Sequence, residues 1–118
     1  MISQERSEVS VEEIGRNESI RVVIDDSGTV VAEGDIDLAG GPLLEAAILR
    51  RESSEPIVID LAKVEFIDSS GLRSLLGASR RANDRGTSVV LRRPSTGVVR
   101  LLAITGTTDQ FRLEGTAE

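Results

Sequence analysis

Asp68-Ser69-Ser70-Gly71 is the one stretch of this 118-residue chain whose residue types and spacing point to chemistry. It stands directly before Leu72, Leu75, Leu76 and Ser79, an i, i+3, i+4, i+7 stripe that predicts an amphipathic helix opening at the motif. A helix start presents backbone N–H groups without partners and the positive end of the helix dipole. The plain structural reading is a cap, in which an Asp or Ser side-chain oxygen accepts one of those N–H groups and the glycine eases the turn. The chemical reading is a phosphate acceptor. Phosphorylating Ser69 would add about −1.5 to −2 charge beside Asp68, and the helix end would offset only roughly 0.3–1 kcal/mol of the resulting repulsion. Such a modification would leave the fold standing and change what can dock. As an enzymatic nucleophile Ser69 would need a base, and a chain without His or Cys leaves only carboxylates or Lys63 for that role. The reading is therefore a protein that is not an enzyme.

Asp35 and Asp37 are the second acidic feature. Two carboxylates at i, i+2 make at most a weak, unspecific cation site, and a solvated loop or a charge at a helix N-terminus is the favoured reading. No metal site is assigned. Gly40-Gly41 and the glycines at 71 and 77 fit neither a dinucleotide-binding nor a Walker A pattern, so no cofactor is assigned either. Arg73 and Arg80 lie beyond the Ser-Ser-Gly on the helix and form a candidate docking face.

Composition narrows the function classes. Net charge is −6, and Trp, Tyr, His and Cys are all absent, with two Phe. An acidic chain without aromatic platforms is a poor binder of phosphate backbones or single strands, so nucleic acid is not a predicted partner. Zero Cys excludes disulfide frameworks and thiolate metal sites. No apolar run approaches the ~20 residues of a membrane span, and Met1–Ser10 has no signal-like apolar core. The expectation is one soluble, cytoplasmic domain. Its core must be built from Leu, Ile and Val.

Residues 1–18 hold five acids against two arginines with scattered apolar residues, and read as an acidic, flexible N-terminal extension. Regular patterning starts at Ile20. Alternation over Ile20–Ile24, a turn at Asp25-Asp26-Ser27-Gly28 and a return strand over Thr29–Glu33 predict a hairpin. Pro42 starts a helix through Leu44, Ala47 and Ile48. Ile57–Leu61 reads as a buried or mid-sheet strand. The helix after Asp68 ends at Gly86, Thr87–Arg92 is a strand, a helix runs from Ser95 to Thr105, and Phe111–Glu114 forms a short last strand. The order β-β-α-β-α-β-α-β predicts an α/β fold, a mixed sheet with helices packed against it.

G-D-I-D (34–37), P-I-V-I-D-L (56–61), V-E-F-I-D-S-S-G-L (64–72) and V-V-R-L-L-A-I-T-G (98–106) together resemble the STAS domain. In particular they resemble the small single-domain anti-sigma factor antagonists of bacteria, over residues 19–115. The resemblance implies a mixed sheet of four to five strands with helices mainly on one face. It implies a partner, an anti-sigma factor with serine kinase activity, which is bound in the unphosphorylated state so that a sigma factor is released. It further implies phosphorylation at Ser69 as the off-switch and a PP2C-type phosphatase that reverses it. Asp37, Asp68, Ser69, Ser70, Gly71, Leu72 and Arg73 are the implied partner-binding residues. The alternative is a STAS accessory subunit of a transport complex, without a phospho-switch. Arg73 stands where many relatives carry a small residue, and the acidic extension is longer than the usual lead-in.

Overall fold

The structure, a computed structural model, describes residues 11–115. Its six strands are β1 (Glu12–Arg16), β2 (Ile20–Ile24), β3 (Val30–Gly34), β4 (Ile57–Lys63), β5 (Val89–Arg92) and β6 (Arg112–Glu114). Three helices, α1 (Gly41–Arg51), α2 (Ser69–Asp84) and α3 (Thr96–Thr105), connect the later strands, and a 3-10 turn at Thr108–Gln110 precedes β6. The strands lie in the sheet in chain order. β1, β2 and β3 pair antiparallel; β3 to β6 pair parallel. Successive parallel neighbours joined by right-handed crossovers put all three helices on the same side.

The core follows from that arrangement. Ile20, Val22, Ile24, Val30, Ala32, Ile57, Ile59, Leu61, Val89 and Leu91 point from the strands toward the helices. Leu44, Ile48, Leu75, Ala78, Val98 and Leu102 answer them, all buried. The alternate strand positions, Val23, Val31, Val58 and Val90, lie on the face without helices. Charges flank them: Arg93 pairs with the buried Asp60, and Arg92 with Glu114 at 2.8 Å. The predicted α/β class and one-sided helix packing are both present.

Two expectations are corrected here. The sheet has six strands, not four to five, and the added strand falls inside the stretch read as a flexible extension. Glu12–Arg16 pairs with Ile24–Arg21, with a bulge between Glu13 and Gly15, while residues 1–10 of that extension lie outside the described residues. The hairpin was hidden because an edge strand with charged side chains shows no apolar alternation. Its anchors are local: Glu13 takes hydrogen bonds from both Arg16 and Arg21, and Gly15 lets the strand close onto Leu43 of α1.

Caps set the helix starts. Asp68 Oδ1 accepts from the N–H groups of Ser70 at 2.8 Å and Gly71 at 3.0 Å, and Ser95 Oγ accepts from Val98. At Gly86 and Gly106 the chain leaves its helix with φ of +77° and +70°. Gly71 is required by proximity: a Cβ there would stand 2.5 Å from Ile36 Cγ2 and 2.8 Å from the Ile36 carbonyl oxygen.

Two predictions follow from these contacts. Asp68→Ala should cost about 0.5–2 kcal/mol in urea unfolding, whereas Ser69→Ala should stay within about 0.5 kcal/mol of the parent; equal losses would contradict the capping assignment. The hydrogen bonds from Arg16 and Arg21 depress the Glu13 carboxyl from 4.5 to about 2. A depressed carboxyl supports pairing above its ordinary pKa and loses that support as pH falls toward its folded value. Amide shifts of Gly15, Val22 and Val23 should therefore move between pH 4.5 and about 2, and Glu13→Gln should reproduce the low-pH shifts at neutral pH.

Candidate functional site

Beyond the end of β3 and the end of β4 the chain makes one more parallel pairing, the isolated bridge Ile36–Ile67. Ile36 N–H donates to the Phe66 carbonyl at 3.0 Å, and Asp68 N–H donates to the Ile36 carbonyl at 3.1 Å. One residue after each bridging isoleucine comes an aspartate, and each aspartate turns the chain toward a helix. Asp37 Oδ1 accepts from Ala39 N–H at 3.1 Å and Gly40 N–H at 2.9 Å, just before α1. Asp68 caps α2 in the same manner. The bridge thus sets Asp37 and Asp68 side by side, with two helix starts converging on them.

Ser69, the first residue of α2, is exposed, and its hydroxyl has no hydrogen-bond partner among the described residues. Ser70 is half-buried, with its N–H committed to Asp68 and its carbonyl accepting from Ser74 Oγ at 3.4 Å. The two serines are therefore not equivalent: Ser69 is exposed and Ser70 is half-buried. A phosphate on Ser69 would meet carboxylates rather than open amides, because Asp68 already holds the N–H groups of Ser70 and Gly71. Its added charge would fall beside Asp37 and Asp68, with the N–H groups of Ser70 and Gly71 already taken.

The structure brings together Asp37, Asp68, Ser69, Ser70 and the exposed Arg73. It separates two other residues expected on a partner surface. Leu72 is buried in the core, and Gly71 is packed on Ile36 and Ile67. Gly71 has no side chain and that of Leu72 lies in the core, so both hold α2 against the bridge. Asp35 is exposed, and Asp37 gives Oδ1 to the backbone amides of Ala39 and Gly40. Among the described residues no group of three or more metal-ligating side chains occurs.

Sequence reasoning missed three neighbours of the site. Leu38, 76% exposed, and Phe66, 53% exposed, stand on the loops flanking the bridge. Beside Ser70 opens a groove of about 620 Å³ between α1 and α2, lined by Leu38, Pro42, Ala46, Leu49, Arg73 and Arg80 among others. The signal for the two loop residues was available: large apolar side chains directly beside acidic turn residues, where burial is not required. The groove had no such signal, since it depends on how closely the two helices approach.

Comparison with known proteins agrees with this geometry. Residues 20–114 match the family described as "Mlab, STAS domain". The chain is 30% identical over 95 residues to an anti-sigma-B factor antagonist of Staphylococcus epidermidis, covering 78% of this chain and 88% of that protein. It is 34% identical over 87 residues to an anti-sigma-B factor antagonist of Listeria monocytogenes, covering 72% and 76%. Among solved structures, a putative anti-sigma factor antagonist of Thermotoga maritima shares the fold with a TM-score of 0.65 at 20% identity, covering 82% of this chain and 86% of that one. The anti-sigma factor antagonist SpoIIAA in its unphosphorylated form does so with a TM-score of 0.61 at 22% identity, covering 80% and 87%. The motifs, the one-sided mixed sheet and these matches coincide: the chain belongs to the STAS-domain family of anti-sigma factor antagonists.

Proposed function

We propose that this protein is a partner-switching antagonist. Unphosphorylated, it binds an anti-sigma factor that is also a serine kinase, and so releases a sigma factor; phosphorylation at Ser69 ends the binding, and a PP2C-type phosphatase restores it. Binding, not catalysis, is the activity. The observation that carries this reading is the exposed Ser69 hydroxyl at the start of α2, beside two carboxylates that have already taken the local amides. A phosphate placed there repels an acidic or hydrogen-bonding partner surface without disturbing the core beneath. The docking face would comprise Asp37, Asp68, Ser69, Ser70 and Arg73, and it supplies charge and hydrogen bonds. Leu38 and Phe66 supply apolar area next to them.

A second reading has its own observation. The fold also matches a murine anion transporter, Slc26a9, with a TM-score of 0.63 at 10% identity, covering 91% of this chain but 21% of that one. A transport accessory subunit would use the same domain without a phospho-switch. The curated relatives favour the antagonist, since both are named for that role at 30% and 34% identity. Among the described residues no helix is long and apolar enough to cross a membrane.

Calorimetric titration with an anti-sigma factor kinase from the same cells separates the two readings. Ser69→Ala should bind like the parent and stay bound in the presence of ATP. Ser69→Asp should bind about tenfold or more weakly, a loss of about 1.4 kcal/mol or more. Equal affinity of Ser69→Asp and parent would overturn the switch.

A further inference from the structure

The groove between α1 and α2 is floored by small side chains. The two helices start together at the Ile36–Ile67 bridge and are tied again at their far ends, by Glu52–Arg81 at 2.6 Å and Glu52–Arg85 at 3.1 Å. Between those ties the facing rows are Pro42, Ala46 and Leu49 on α1 and Ser70, Ser74 and Gly77 on α2, each row at i, i+4, i+7. Glu45, the acid on the α1 wall, is held by Arg81 at 3.7 Å.

Gly77 has no internal reason to be glycine. It lies in the middle of α2, where glycine lowers helix stability relative to alanine, and it is not among the glycines with positive φ. Beyond its own helical backbone, a Cβ there would meet one atom, Nη1 of Arg81 at 3.4 Å, the far end of a flexible side chain. At Gly71, by contrast, a Cβ would clash with Ile36. A half-buried helix glycine that the fold itself does not need leaves room for the close approach of another backbone.

The charges specify what approaches. Arg73 and Arg80 stand on the α2 wall, exposed and without a carboxylate partner among the described residues. Seven residues apart, they are two turns and about 10.5 Å from each other along the helix, with Gly77 between them. A second helix laid along the groove has the same rise, so carboxylates spaced by the same two turns meet both guanidinium groups. Leu38 and Leu49, both exposed, line the groove as well and offer apolar contact beyond those acids.

We propose that the α1–α2 groove is the docking site for an acidic amphipathic helix of a partner protein, with two carboxylates two turns apart on Arg73 and Arg80 and a small residue between them over Gly77. This surface goes beyond the proposed function: it needs neither a phosphate nor a kinase, and it continues the docking face along α2 from Ser70.

The probe is a synthetic alanine-based helix of about five turns, carrying two glutamates two turns apart, alanine between them and leucine beyond each. A second version has lysines in place of the glutamates. Added to the isotope-labelled full-length chain, the glutamate helix should shift the amide signals of Ala46, Leu49, Gly77 and Arg80 saturably, and the lysine helix should not. Changing Arg73 and Arg80 together to Glu should exchange the preference, weakening the glutamate helix by about tenfold or more and admitting the lysine helix. Gly77→Ala should raise the urea midpoint of the chain yet weaken the glutamate helix several-fold, two effects that a purely structural glycine does not combine. No response, an equal response to both helices, shifts centred on Val31 and Val58 of the bare sheet face, or undiminished binding to Gly77→Ala would each overturn the proposal. So would groove signals that move with the concentration of the chain alone, since the occupant would then be a second copy.

Discussion

A single parallel bridge, Ile36 to Ile67, determines where the functional groups of this protein sit. Without it, the loops leaving β3 and β4 would be independent, and two acidic turns would wander on the surface. With it, the isoleucines enter the core, and the residue after each is forced into a turn at the same height. Gly71 is the steric condition for this arrangement, because any side chain there would collide with Ile36 and Ile67. The aspartates then spend their oxygens on helix amides. What is left facing outward, in the middle of the constellation, is the hydroxyl of Ser69.

In the proposed switch, this division of labour is how one chemical group would act on a small domain. The core is aliphatic and built between the sheet and three helices, and Ser69 is exposed outside it. Two of the amides that would otherwise welcome a phosphate at a helix start, those of Ser70 and Gly71, are already held by Asp68. In that switch, a phosphate there would stand among Asp37, Asp68 and Arg73 at the surface, and its effect would be exported to whatever docks. Fold-level likeness extends to SpoIIAA in its unphosphorylated and phosphorylated forms alike, with TM-scores of 0.61 and 0.57 to this chain.

Much of this was legible in the residues. Central strands with β-branched alternation, the α2 stripe and the Asp68 cap are all set by local periodicity and turn chemistry, and the structure places them within a residue or two of the reading. β1 was not legible, because an edge strand held by Glu13, Arg16 and Arg21 has no apolar face to betray it. Within the motif, sequence could not divide residues that face a partner from those that face the core. Leu72 belongs to the α2 stripe and is buried for that reason, while Arg73, one position on, turns out to solvent. Nor could it show the groove, which arises from the approach of α1 and α2 and not from either helix alone.

The most direct measurement is phosphopeptide mass spectrometry of the protein from its own cells, grown with and without stress. Trypsin cuts after Lys63 and Arg73 and releases Val64–Arg73 with both serines in one peptide. The proposed switch predicts phosphate on Ser69, not Ser70, with an occupancy that changes with growth condition. Phosphate on Ser70, or an unmodified peptide under every condition, would contradict the switch.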